Sequence, residues 1–288
     1  MRVIDAHVHL YPPEAGREPT AWAAARRETH WATLCTRRRK DGRPVQAFPA
    51  VDELLFTMDA DGVDRAVLLG WYWENHATCV EQNSFYAACI KAHPDRLAAF
   101  ATVHPAAGPA ALAEVRRAVG EGLVGLGELS PHSQHVAIDD PFWHELMNLA
   151  GALKLPVNLH VTDPASRKFS GRVDTPVGDF VELARIFPRT KFILAHWGGG
   201  PGYAVELKDF PNVYFDTAAS PLIYEPAKLG PLIATLPADR VLYGSDYPLI
   251  LYPQTDALPG FAGFLGELRT AGASDAVLGG NAAREFSW

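Results

Sequence analysis

Met1-Arg-Val-Ile-Asp-Ala-His-Val-His-Leu10 decides how this chain is read. Val3 and Ile4 are β-branched, and the run from Arg2 to Leu10 has the two-residue alternation of a strand. Residues i and i+2 of a strand point the same way, so His7 and His9 project side by side from one face near its end. Two imidazoles so placed can share a divalent metal, or they can be two hydrogen-bonded, partly buried histidines. The rest of the chain weighs between these readings.

Seven further β-type runs follow, each trailed by a segment with helical spacing. They span residues 65–71, 97–104, 124–129, 156–162, 191–197, 213–218 and 241–246. Helices are expected over 51–61, 83–93, 109–121, 141–153, 177–187, 202–209, 225–236, 260–271 and 274–286, several closed by Gly or Pro. Eight βα units predict an α/β chain of the (β/α)8 TIM-barrel class, read as one domain over 1–288. An open doubly wound sheet is the alternative. It is disfavoured because His-Val-His, not a glycine-rich phosphate fingerprint, follows the first strand. Residues 11–50, with Trp22, Trp31 and Phe48, read as a long insertion after strand 1, a lid with a short helix near 20–29.

Composition narrows the class. The 288 residues are 48% hydrophobic with formal net charge −7, ample for a large core and unlike a nucleic-acid-binding surface. The basic run Arg37-Arg38-Arg39-Lys40 reads as a solvated loop. Cys35, Cys79 and Cys89 are odd in number and lack CxxC spacing, which points to a reducing, cytoplasmic setting. No signal peptide or membrane-length apolar run is expected. A homodimer is the commonest assembly for such an enzyme.

In this barrel class the active site lies at the C-terminal strand ends. The polar residues expected there are His7 and His9 on strand 1, Glu128 on strand 4, His160 on strand 5, His196 on strand 6, Asp216 on strand 7 and Asp246 on strand 8. His7, His9, His160 and Asp246 offer three nitrogens and one carboxylate, suited to zinc or another divalent ion. An open position would hold a water activated for attack. Asp246 would shuttle its proton, and His196 would polarise a carbonyl or hold the nucleophile.

His7-Val-His9, Asn158-Leu-His160, Ala195-His196-Trp-Gly-Gly199, Tyr243-Gly-Ser-Asp246-Tyr-Pro248 and Gly279-Gly-Asn281-Ala-Ala-Arg284 together resemble the amidohydrolase superfamily. The likeness is to its amidohydrolase-related branch, which holds aminocarboxymuconate-semialdehyde decarboxylase, resorcylate-type decarboxylases and pyrone-dicarboxylate lactonase. The resemblance spans essentially the whole chain. It implies His7, His9, His160 and Asp246 as metal ligands, His196 as catalytic histidine, and one divalent ion, zinc first and manganese, cobalt or iron otherwise. A strand-4 glutamate bridges a second metal in some members, so Glu128 is either that bridge or a hydrogen-bond partner of a ligating histidine.

Trp71, Trp73, Trp197 and Tyr247 are expected to surround a small, flat substrate. Arg17, Arg26, Arg27, Arg37, Arg38, Arg39 and Arg172 are candidates for holding its carboxylate. His104, His132 and His135 read as peripheral. The leading functional reading is hydrolysis of an amide, ester or lactone through a metal-activated water. The alternative is metal-dependent non-oxidative decarboxylation of an aromatic or muconate-type acid. A barrel that binds a small molecule without turning it over is the third, disfavoured by the intact Asp246 and His196.

Overall fold

In the computed structural model, which describes residues 2–286, strand β1 (Ile4–Val8) pairs in parallel with β2 (Arg65–Leu68). The sheet continues in sequence order through β3 (Leu97–Ala101), β4 (Gly125–Leu129), β5 (Val157–Leu159), β6 (Phe192–Leu194), β7 (Val213–Asp216) and β8 (Val241–Leu242). The chain segment after β8 returns to β1. Ala6 N–H donates to Tyr243 O, Asp246 N–H to His7 O, and His9 N–H to Tyr247 O. Helices alternate with the strands, so this is a (β/α)8 barrel.

Local chemistry sets the helix ends. Val51–Asp61 stops at Gly62, whose φ of 75° suits a residue without a side chain and whose N–H caps Met58 O. Pro141–Leu153 begins where the Asp140 carboxylate accepts from the N–H groups of Phe142 and Trp143. The helix expected from residue 83 starts earlier, spanning His76–Ala92. Its first turns bury Thr78, Cys79, Gln82 and Asn83, so a polar inner face hides the apolar period there.

Two apolar layers fill the barrel and its shell. Ile4, Val67, Leu69, Phe100, Ile193 and Leu242 pack inside, with Ala282 and Phe286 of the chain's last described turns closing the base. Phe286 meets Phe100 edge to face, ring centroids 5.4 Å apart. The tail motif is part of this closure. Asn281 Nδ2 donates to Ala238 O and Val241 O, both at 2.8 Å, and a Cβ at Gly279 would lie 2.1 Å from Arg2 O.

Between β1 and Val51 the chain runs through three short helices, Pro13–Arg17, Pro19–Arg26 and Thr29–Cys35. Their aromatics form a separate buried cluster in which Tyr11, Trp22 and Trp31 pack with Trp71, Tyr72 and Trp73. Among the described residues no helix is long and apolar enough to cross a membrane.

Candidate active site

The strand pairing is irregular twice, between Asp5 and Val8 on β1 and between Leu126 and Leu129 on β4. His7 and Glu128 lie within these stretches. Such irregularities re-aim side chains, and they gather near active sites. The other polar residues of the expected ring sit just past short strands. His160 follows β5, His196 follows β6 and Asp246 follows β8. His196, Trp197 and Asp246 have φ of 55°, 59° and 68°, the left-handed region, where a side chain is strained. Strain of this kind costs about 1–3 kcal/mol per residue and clusters at functional sites.

Each histidine of the ring is anchored through Nδ1. His7 Nδ1 donates to Asp216 Oδ2 at 2.9 Å, His9 Nδ1 to Leu69 O at 3.0 Å and His196 Nδ1 to Ala218 O at 3.0 Å. His160 Nδ1 donates to Glu128 Oε1 at 2.9 Å. Carboxylates and carbonyls only accept, so Nδ1 carries the proton and Nε2 is the atom left to act.

His7 Nε2 and His9 Nε2 stand 3.2 Å apart, and Asp246 Oδ1 lies 3.8 and 3.5 Å from them. Two nitrogens on one tetrahedral ion, each about 2.05 Å from it, are about 3.3 Å apart. This trio therefore fits a shared cation. A second trio adjoins it, formed by Glu128, His160 and His196. Glu128 faces both, with Oε2 3.7 Å from His9 Nε2 and Oε1 on His160. The expected four-ligand set is thus divided. Three members gather, while His160 groups with Glu128 and His196 and has Nε2 3.2 Å from Thr162 Oγ1.

The field at this centre is negative. Burial opposes a charged His7 ring, but Asp216, with Asp246 and Glu128 beyond it, pushes its pKa up to about 10. Burial and the neighbouring His7 hold His9 below its ordinary value. Glu128 and Asp216 both lose stability as carboxylates through burial, yet their histidine partners keep them below the usual carboxylate range. Three converging carboxylates that draw a proton onto a buried imidazole would equally favour a divalent ion.

Above the trios lies a cavity of about 330 Å³ lined by His9, Glu128, His160, His196 and Asp246. Trp71 and Tyr72 form one wall, stacked with centroids 4.3 Å apart. The other expected aromatics are elsewhere. Trp73 turns back into the cluster of Trp22 and Trp31. Trp197 is fully buried, its indole N–H donating to Ser220 Oγ, and Tyr247 stacks on Phe261. The left-handed turn at 196–198 rotates Trp197 away from the direction of His196 and against Ser220.

Of the arginines, Arg37, Arg39 and Arg172 line the cavity, joined by Arg167, which carries no motif. Arg17 pairs with Glu14, Arg26 with Glu81, and Arg38 reaches Gly42 O. The run 37–40 is therefore not simply a solvated loop: Arg37 and Arg39 face inward, while Arg38 and Lys40 are exposed. His132 pairs with Asp179, away from the cavity. Asp216 is the residue whose part was not foreseen. Its two oxygens take His7 Nδ1, Asn158 Nδ2 and the N–H groups of His196 and Ala218, tying four segments together.

The amidohydrolase family model matches residues 4–288. The chain belongs to the amidohydrolase family. Solved structures align with this amidohydrolase end to end. One is 5-carboxyvanillate decarboxylase LigW from Sphingomonas paucimobilis, 21% identical over 99% of each chain, with a TM-score of 0.72. Another is a dihydroxybenzoic acid decarboxylase from Polaromonas sp. JS666 with bound manganese and 2-nitroresorcinol. It is 18% identical over 99% of this chain and 97% of that one, with a TM-score of 0.67. A third is a probable 2-pyrone-4,6-dicarboxylic acid hydrolase from Acinetobacter baumannii, 15% identical over 100% of both chains, with a TM-score of 0.64. At these identities the likeness carries the fold. No curated protein matches this amidohydrolase.

Proposed function

We propose that this amidohydrolase is a divalent-metal-dependent hydrolase of an ester, lactone or amide bond in a small, planar, carboxylated molecule. The observation that carries the reading is the convergence of His7 Nε2, His9 Nε2 and Asp246 Oδ1 at the floor of a cavity whose walls hold four arginines. His7, His9 and Asp246, with His160 close by, would hold the ion. When bound, it supplies Lewis-acid polarisation of a carbonyl and makes water a stronger acid.

The chain's own groups do the rest. Asp246 takes a proton from the attacking water as the oxygen–carbon bond forms, then gives it to the departing oxygen or nitrogen. His196, with Nδ1 committed to Ala218 O, offers Nε2 as an acceptor that holds the water's other hydrogen. The Trp71–Tyr72 wall stacks on a flat ring. The arginines bind a carboxylate. A guanidinium stabilises that carboxylate as an anion, which opposes its loss as carbon dioxide and supports a scissile bond elsewhere in the substrate.

Decarboxylation is the second reading, favoured by the flat aromatic wall and by the decarboxylases among the similar structures. There Asp246 would deliver its proton to ring carbon. The test is a panel of carboxylated lactones and esters beside a panel of aromatic acids, with metal-loaded protein. Hydrolysis that falls about 10²–10⁴-fold in Asp246→Asn, with metal retained, supports the first reading. Carbon dioxide release without hydrolysis replaces it with the second.

A further inference from the structure

Gln46 carries no motif, yet it is 4% exposed and lines the cavity with Cys35, His9 and Asp246. Its Nε2 is buried with no acceptor beyond the weak one offered by the Cys35 thiol. Nε of Arg39, which lines the same cavity and spends its NH2 group on Ile250 O, is buried without a hydrogen-bond partner. Buried donors without acceptors are rare in folded proteins and unfavourable. Here two occur within one stretch, residues 39–46.

That stretch is not loose. Gln46 forms an antiparallel bridge with Leu249, Ala47 N–H donates to Pro248 O, and Ile250 N–H donates to Val45 O. The backbone is therefore fixed to the segment that carries Asp246, three residues before Leu249. An unpaired donor on a pinned backbone is preorganised for an acceptor that arrives from outside. Both orphans are N–H groups, so the missing partner accepts and does not donate. A planar carboxylate offers two oxygens with that character.

We infer that Gln46 is a specificity-determining residue whose side-chain N–H, together with Arg39 Nε–H, binds a carboxylate that the reaction leaves intact. This rests on the cavity being the active site proposed above. The subsite lies where residues 39–46 line the cavity. It selects substrates with a carboxylate held away from the scissile bond.

The test uses two unreactive probes, benzoate and benzene-1,3-dicarboxylate, titrated calorimetrically into metal-loaded protein. The wild type is expected to bind the dicarboxylate at least tenfold more tightly. Benzoate has one carboxylate for the metal and the subsite to share, so Gln46→Met, nearly isosteric but without the donor, should reduce the dicarboxylate's advantage about tenfold. It should also melt no lower than wild type, because the lost N–H faces only the Cys35 thiol, a weak acceptor, in the free protein. Gln46→Glu, which turns the donor into an acceptor, should abolish the preference. Unchanged dicarboxylate binding in Gln46→Met, a lowered melting temperature with binding intact, or equal binding of both probes by the wild type would each overturn the inference. None of these results bears on hydrolysis, which the turnover panel decides separately.

Discussion

His7 Nδ1 lies 2.9 Å from Asp216 Oδ2, and solvent reaches neither side chain. The carboxylate sits behind the ring and not in the cavity, so it acts through His7. It fixes which nitrogen carries the proton and turns Nε2 towards His9 and Asp246. Asp216→Asn keeps the size but presents an amide that can donate where His7 donates. Outer partners of ligating histidines are commonly worth 10–100-fold in metal affinity. The variant should lose that much in a chelator competition titration, with Asp216→Glu recovering part of it; an unchanged affinity would remove Asp216 from any positioning role.

Metal uptake should displace protons. His7 is held protonated up to about pH 10 by its carboxylate neighbours, and an ion at Nε2 needs the lone pair that the proton occupies. Apparent affinity should therefore rise about tenfold per pH unit through the neutral range, and one proton per ion should appear in the buffer. Elemental analysis sets the count. About one equivalent fits the His7–His9–Asp246 trio, and about two would bring Glu128, His160 and His196 into use. If neither zinc nor manganese binds after incubation, the ligand assignment falls.

Gly244 stands against the site. A Cβ there would lie 2.7 Å from His7 Cβ and 3.5 Å from Asp216 Cβ. The first contact is closer than side-chain carbons come, and His7 is held from behind, so the strand must shift. Gly244→Ala should cost about 1–3 kcal/mol in denaturant unfolding, the usual penalty for overpacking. Metal affinity should fall with it. A variant as stable and as metal-competent as wild type would show that the segment after β8 can yield here.

Acid sensitivity has a source remote from the site. Burial tends to raise Glu114, but bidentate contacts from Arg117 and a hydrogen bond from Asn83 hold it below the ordinary value. A carboxyl whose folded pKa is depressed contributes its stability above the unfolded value, near 4.5, and loses it as pH falls through the lower, folded value. Melting temperatures of Glu114→Gln and wild type should therefore differ at pH 7 and draw together as pH falls below 4.5. Parallel curves down to pH 3 would contradict this.

The barrel was legible because its strands are apolar runs at βα spacing, and hydrophobic period is a signal that survives without structure. The ring of polar residues was legible for the same reason, since strand ends could be counted. What stayed hidden depends on backbone departures that alternation cannot express. The irregular pairing near His7 and Glu128, and the left-handed turn at His196 and Trp197, decide which side chains meet. So His160 joined Glu128, while Trp73, Trp197 and Tyr247 went into packing. Gln46 had no signal at all, because its place is set by pairing with a segment about two hundred residues further along the chain.

That pairing has an evolutionary consequence. The clustered histidines and Asp246 sit on the barrel strands and their ends, whereas Arg37, Arg39 and Gln46 sit on a stretch between β1 and Val51 that docks along the residues after β8. The docking joins main-chain hydrogen bonds at Val45 and Ala47 to side-chain bonds from Arg39 to Ile250 O and from Arg43 to Pro253 O. Residues of 37–46 outside those docking contacts can therefore change without disturbing the histidines beneath. One reaction centre could thereby be inherited intact while successive descendants acquire different appetites, and a library confined to those positions is where a new substrate should be sought.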